Sequence, residues 1–249
     1  MPLFEETQVR AILLDIEGTT TPIDFVTKKL FPYASRKLES FLRENAADAE
    51  IRALMEELRA QRELDERGGL KPPTWRDDSE EERVHSSASY GQWLIARDSK
   101  CTPLKALQGK IWQQGYASGE LKGEVYPDVP AALERWRRQG KIICIYSSGS
   151  VLAQQLLFGS TATGDLTPYI SAFFDTRVGA KSEPGSYQKI AAAVSYKPKQ
   201  FLFLSDAAKE IEAARAAGMQ ALLCQRDTQS NAAKDAEQVI RDFRGLFPD

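Results

Sequence analysis

Two acids one residue apart, Asp15 and Glu17, stand at the end of the apolar run Ala11-Ile-Leu-Leu and run into Gly18-Thr19-Thr20-Thr21. A carboxylate so placed can attack an electrophile, move a proton or hold a hard cation. Gly18 frees the backbone, and Thr19 and its neighbours offer donors for an anion. An ordinary core strand with a polar turn would read the same way. Three later apolar runs end in groups of complementary chemistry. Ile142 to Tyr146 runs into Ser147-Ser148-Gly149-Ser150, hydroxyls and backbone donors at the start of a helix, where an oxyanion could sit; a simple helix cap explains these serines as well. Lys181 follows Phe174-Asp175 and a turn at Gly179, and could set a compact positive charge against a phosphate or lie on the surface. Phe201 to Leu204 ends in Ser205-Asp206, with Glu210 one helical turn beyond. Asp206 is either an N-cap or, beside Asp15, part of an oxygen site for a cation such as magnesium.

The elements that must carry these groups follow from periodicity. A short continuous apolar run reads as a strand buried on both faces, as in a parallel sheet under helices. Asp15 and Glu17 would share a side-chain parity on an extended chain. From Pro127 onward strands and helices alternate: a helix over Ala131–Gln139 stopped by Gly140, the strand to Tyr146, a helix capped by Ser150 to Phe158, a short strand Ala172–Asp175, a helix over Ser186–Val194, the strand to Leu204, a helix over Ala207–Ala217 and a last strand Ala221–Cys224. Such alternation implies an α/β fold with a doubly wound parallel sheet. Between the first strand and this region, residues 25–123 show no strand. Ile51, Leu54, Met55 and Leu58 keep helical spacing, which returns at Trp93–Ile95 and at Leu104, Leu107 and Ile111. The charged stretch Arg76–Arg83 reads as a solvated face or loop, and His85, the only histidine, as part of a surface loop with Ser86 and Ser87. Tyr90, Trp93 and Trp112 read as interior of this helical block before pocket wall. The expected organisation is an α/β core over residues 1–24 and 124–249 and an all-helical insert over 25–123, hanging over the end of the first strand.

The totals narrow the function classes. Hydrophobic content of 42% and charged content of 27% in 249 residues suit a globular protein with a substantial core. A net charge of -2 gives no broad reason to expect nucleic acid or an anionic membrane as partner. Cys101, Cys144 and Cys224 are odd in number and far apart, which argues against a disulfide framework and for a reducing compartment; two of them sit in apolar runs as small hydrophobes. The N-terminal residues lack the basic-then-apolar order of a signal peptide, and no apolar run approaches the ~20 residues of a membrane span. A cytoplasmic protein is expected.

The order Asp15-x-Glu17, Ser147, Lys181, Asp206, each after an apolar strand, resembles the haloacid-dehalogenase-like phosphohydrolases over nearly the whole chain. The resemblance implies that Asp15 is the nucleophile, Glu17 the general acid/base with its backbone carbonyl on the metal, Ser147, Ser148 and Lys181 the phosphoryl-binding groups, and Asp15 with Asp206 the ligands of one Mg²⁺ per chain. Gly18, Thr19, Gly149 and Glu210 would support them, and the helical insert would be the family's cap. Most phosphatases of that superfamily have Asp where this chain has Glu17. Asp15 to Ile23, Phe31-Pro-Tyr33, Ile145 to Ser150, Leu156 to Gly159, Phe174-Asp-Thr176 and Phe203 to Asp206 are similar to the enolase-phosphatase family of methionine salvage, the acireductone synthases.

That closer resemblance implies enolisation of a small phosphorylated diketone, 2,3-diketo-5-methylthiopentyl-1-phosphate, followed by hydrolysis of its phosphate ester through an aspartyl-phosphate to give acireductone, by a monomer. Glu17 or a residue of the helical insert would move the proton in the enolisation. The alternative within the superfamily is another magnesium-dependent small-metabolite phosphatase or phosphomutase. A receiver-type signalling module also pairs an acceptor Asp with a Lys, but has no use for an insert of this size; a non-catalytic binding protein on the same fold is the remaining alternative.

Overall fold

The structure, a computed structural model, describes residues 4–226 and 239–248; Met1-Pro2-Leu3 of the N-terminal stretch lie outside it. In chain order the elements are β1 (Ala11–Leu14), the single turn α1 (Ile23–Phe25) running into a π-type turn (Val26–Leu30), α2 (Phe31–Glu44), α3 (Ala49–Arg67), α4 (Glu80–Ala96), α5 (Thr102–Ala117), α6 (Val129–Arg138), β2 (Ile142–Tyr146), α7 (Val151–Gly159), β3 (Ala172–Phe174), α8 (Pro184–Ala193), β4 (Phe201–Ser205), α9 (Ala208–Ala216), β5 (Gln220–Cys224) and β6 (Val239–Ile240). The chain forms two compact units, Met1–Phe25 with Lys122–Asp249, and Val26–Leu121.

In the α/β unit the six strands lie in the order β3-β2-β1-β4-β5-β6, every pair parallel. β1 is central, with Ala11 opposite both Ile142 and Phe201 and Leu14 opposite both Ile145 and Leu204. All four of its side chains are fully buried, and burial of an aliphatic side chain of this size is worth roughly 1.5–3 kcal/mol. That central position explains the unbroken apolar run: alternation would put polar groups under helices. On one face Leu13, Tyr146, Tyr187, Phe203 and Ile211 pack together, with the Tyr187 ring edge-on to Tyr146 and Phe203 at centroid distances of 5.6 and 5.1 Å. From β1 the chain winds outward through β2 to β3, returns to β4 on the other side of β1, and winds outward again. The reversal leaves a crevice beyond the carboxyl ends of β1 and β4, the place where such sheets bind ligands. β5 is not the last strand, as the sequence suggests: Val239–Ile240 adds a two-residue edge strand, too short to carry a periodicity.

The helical unit contains helices only, among the described residues. Asp48 caps α3 by accepting from the N–H groups of Glu50 and Ile51, and Ile51, Leu54, Met55 and Leu58 form its buried stripe. The charged stretch before His85 is not all loop. Ser79 accepts from Glu82 N at 3.2 Å, and α4 begins at Glu80 with three glutamates in its first turn. This is a favourable arrangement at a helix N-terminus. His85 therefore lies on a helix, its side chain exposed and 3.7 Å from Glu39, while Ser86 and Ser87 are buried. Tyr90, Trp112 and Leu58 are interior here; Tyr90 donates to Asp65 at 2.8 Å and Trp112 to the Leu30 carbonyl at 3.0 Å. No helix of the described residues is long and apolar enough to cross a membrane.

Candidate active site

The register β2-β1-β4 brings three strand ends out side by side: Asp15 after Leu14, Ser147 after Tyr146, and Ser205-Asp206 at the end of β4. Asp15 is buried, and its own N–H donates to the Leu204 carbonyl at 3.0 Å, so the strand pairing reaches the reactive residue itself. Beyond it the chain does not stay extended. It folds into a tight loop around one carbonyl: Thr19, Thr20 and Thr21 N–H donate to Ile16 O at 3.2, 3.0 and 2.9 Å, and Gly18 N donates to Thr21 O at 2.8 Å. Two sequence expectations are corrected here. The shared parity of Asp15 and Glu17 ends with the strand, since Glu17 belongs to this turn and bridges Thr21. The amides of Gly18 to Thr21 are consumed within the loop, so they are not the donors that would hold an anion.

The loop's side chains turn toward Asp15 instead. Thr20 donates to the Asp15 carbonyl at 3.0 Å, and Thr19 Oγ1 lies 3.5 Å from Asp15 Oδ2. Gly18 has φ +71°, and a Cβ added there would stand 2.1 Å from Asp206 Oδ2. Glycine is required twice, by the backbone and by the carboxylate lying against it. The same contact brings Asp206 to the Asp15 loop.

Lys181 is drawn into this group from the β3–α8 connection. Its Nζ donates to Asp15 Oδ1 at 2.5 Å and lies 2.7 Å from Glu210 Oε2, with 12% of the side chain exposed. Tyr187 fixes the lysine from behind by donating to its carbonyl at 2.7 Å. Burial opposes the ammonium charge, but Asp15 and then Glu210 outweigh it and push Lys181 up to about 12. Glu210 also accepts from Ser205 Oγ at 2.8 Å; burial first, then the Asp15 charge, raises its carboxyl above the ordinary range. Asp206 is an exposed residue, yet the protein crowds its carboxyl head, and this desolvation together with Asp15 and Glu210 raises it to about 6.

Three carboxylates therefore face one ammonium, a net charge of -2 when all are ionised, which a divalent cation would offset. Among the described residues no three His, Cys, Asp or Glu side chains close into a metal cage. Two carboxylates on adjacent strand ends suit a cation that keeps several waters, as magnesium does.

The second loop is held differently. Ser147 N donates to Phe174 O at 3.1 Å, and Ser147 Oγ accepts from Gly149 N at 3.2 Å, leaving its own proton to donate outward. Gln154, buried in the next helix, donates to Gly149 O at 2.9 Å and Phe174 O at 2.8 Å. Asp175 accepts from Val151 N at 3.3 Å and from the Arg177 guanidinium at 2.9 Å. Burial would raise Asp175, but the bonds from Arg177 win and hold it below its ordinary value.

Sequence reasoning missed Gln154 and Asp175, although a polar residue inside an otherwise apolar helix and an acid at a strand end were both visible signals. It also missed Asp128 and Arg226, a buried ion pair at 2.8 Å whose arginine donates to Thr19 O at 2.9 Å. His85, in the other unit, is not among the residues gathered here.

Comparison with known proteins identifies the family and the fold. Residues 9–218 match the family described as haloacid dehalogenase-like hydrolase. The chain is similar to Enolase-phosphatase E1 of Synechococcus elongatus, 49% identical over 246 residues that cover 99% of this chain and 100% of that protein. It is likewise similar to Enolase-phosphatase E1 of Drosophila simulans, 46% identical over 97% of this chain and 94% of that one. Among solved structures, the UTR4 protein of Saccharomyces cerevisiae superposes with a TM-score of 0.77 at 32% identity, covering 96% of this chain and 100% of that chain. CbbY from Rhodobacter sphaeroides, in complex with phosphate, has a TM-score of 0.59 at 16% identity over 96% and 97%, a likeness of fold alone.

Proposed function

The chain belongs to the haloacid dehalogenase-like hydrolases, and from that premise we propose that it is the enolase-phosphatase of methionine salvage. It converts 2,3-diketo-5-methylthiopentyl-1-phosphate to acireductone by enolisation and then hydrolysis of the phosphate ester. The near full-length identity to proteins named Enolase-phosphatase E1 supports the substrate. The observation that carries the chemistry is Asp15, buried at the switch point, bonded to Lys181 and beside Asp206.

Asp15 Oδ attacks phosphorus, the bond from phosphorus to the ester oxygen breaks, and an aspartyl-phosphate forms. Glu17 gives a proton to the departing oxygen, then takes one from the water that cleaves the acyl-phosphate and restores Asp15. Lys181 stays charged throughout the neutral range and moves from its carboxylate partners to the phosphoryl oxygens. Ser147 donates to a second oxygen; Ser148 and the start of α7 complete that side. Asp15, Asp206 and the Glu17 carbonyl would hold magnesium, which when bound would supply positive charge that lets one anion approach another. In the preceding enolisation a proton leaves carbon and another reaches a carbonyl oxygen. The longer reach of Glu17, compared with the commoner Asp, fits a residue that serves both carbon and oxygen.

The named residues come from one chain, and we propose a cytoplasmic monomer, which sedimentation and cell fractionation test. The decisive assay adds the diketone phosphate and magnesium to the pure protein and follows enol absorbance and phosphate release together. An enol signal followed by phosphate is expected, both lost with a chelator. Phosphate without an enol signal would make it a plain phosphatase, and neither signal would overturn the assignment.

A further inference from the structure

Arg226 follows β5, its side chain is only 6% exposed, and its guanidinium reaches the nucleophile loop. Nε donates to Thr19 O at 2.9 Å; Nη1 lies 2.8 and 2.9 Å from the two oxygens of Asp128. The guanidinium carbon lies over the rings of Tyr126 and Phe243, 4.4 and 4.3 Å from their centroids. Asp128 also accepts from Phe243 N at 2.8 Å, which fixes the carboxylate. Tyr126 also donates its N–H to Thr20 O at 2.9 Å. Two successive loop carbonyls are thus held from outside by one clamp, while the hydroxyls of the same two residues turn inward to Asp15, one to its carbonyl and one toward Oδ2.

A buried ion pair contributes little stability over apolar groups of the same volume, because desolvation offsets the attraction. What a stacked, planar fork supplies is direction. We infer that Arg226, oriented by Asp128 and stacked on Tyr126, is a positioning residue for phosphoryl transfer: it fixes the Thr19-Thr20 peptide so that the threonine hydroxyls hold Asp15, Thr20 at its backbone carbonyl and Thr19 at its carboxylate, aimed at phosphorus. This rests on Asp15 being the nucleophile. Lysine at 226 keeps the charge and loses the fork, so Asp128 stays neutralised but the orientation of the loop relaxes.

The test measures phosphate release and the melting temperature for Asp15→Asn, Arg226→Lys, Thr19→Val and the double variant. For Arg226→Lys the expected result is a kcat lower by roughly 10- to 100-fold, the scale of a small misplacement of reacting groups, with KM changed by less than about 3-fold. Thr19→Val, which removes the inward hydroxyl and nearly keeps the volume, lowers kcat by a similar factor. The double variant is no worse than the poorer single one within about 3-fold, since both break one chain of contacts. Wild-type kcat in Arg226→Lys, fully multiplicative losses, or a rise in KM at constant kcat would each overturn the inference. If Arg226→Lys fails to fold, Thr19→Val decides alone, and wild-type kcat in it refutes the coupling. Turnover surviving in Asp15→Asn removes the nucleophile reading itself, whereas a dead Asp15→Asn beside a fully active Arg226→Lys removes the clamp only.

Discussion

The loops that leave β1 and β2 lie next to each other and are built on opposite plans. The β1 loop closes on itself: three of its amides point at the Ile16 carbonyl and a fourth, Gly18, at that of Thr21, and what it presents outward is carboxylate. The β2 loop is braced by side chains from elsewhere, Gln154 and Asp175, and offers a serine hydroxyl and the start of a helix. A nucleophile tolerates little angular freedom, because its lone pair must face phosphorus. A set of donors to phosphoryl oxygens tolerates more. The difference predicts that the β1 loop is brittle to substitution and the β2 loop graded.

The largest contrast is between the residues at the two tips. Asp15→Asn removes the attacking oxygen and is expected to lower phosphate release by on the order of 10⁴-fold or more. Ser147→Ala removes one donor to developing charge and is expected to cost on the order of 10²-fold. Both are read as kcat in a phosphate assay. A Ser147 loss as large as that of Asp15 would mean the second loop is no less exacting than the first.

Glycines give the next contrast. Alanine at 18 needs φ +71° and puts a methyl 2.1 Å from Asp206 Oδ2, whereas a Cβ at 149 would meet only Ser147 Oγ at 3.6 Å. Gly18→Ala is expected to cut kcat by roughly 10²-fold and to raise the magnesium concentration needed for half-maximal rate. Gly149→Ala is expected to stay within about 3-fold of wild type, since 3.6 Å is ordinary contact. Equal losses would break the comparison.

What the sequence disclosed about these loops divides along the same line. β1 was legible because a central parallel strand must be apolar on both faces, and Asp15, Asp206 and Lys181 were legible because each follows such a run. The closing of the β1 loop on Ile16 O was not, since nothing in Gly-Thr-Thr-Thr says where four amides will point. Gln154 stood in view within Val-Leu-Ala-Gln-Gln-Leu-Leu-Phe but had no local partner to mark it. Arg226 and Asp128 are 98 positions apart, and only the sheet order brings them together. In the helical unit the start of α4 was misread although Ser79 and three glutamates are a capping signal, because a run of charges was weighed above it.

Gln154→Leu sharpens the comparison from the side of the brace. It removes two buried donors, to Gly149 O and Phe174 O, and is expected to destabilise the protein by about 1–3 kcal/mol. In the kinetics KM for the phosphate ester should rise while kcat falls less. A kcat effect with unchanged KM would place the β2 loop's strictness on a par with the β1 loop's.

The smallest effects are electrostatic, and here the two loops should differ in sign. Asp206, beside the β1 loop, has its carboxyl raised from 3.8 to about 6, so the folded protein binds the extra proton between those values. Its contribution to stability falls as pH rises through that window and is fully unfavourable above it. Asp175, bracing the β2 loop, is lowered by Arg177; it stabilises above 3.8 and loses that contribution as pH falls through its depressed value. In metal-free protein at pH 8, Asp206→Asn should therefore melt higher than wild type and Asp175→Asn lower. The Asp206→Asn advantage should shrink between pH 6 and 4, and adding magnesium at pH 8 should raise the wild-type melting temperature more than that of Asp206→Asn. If Asp206→Asn melts lower than wild type at pH 8 without metal, the β1 loop does not store the charge repulsion that magnesium binding would relieve.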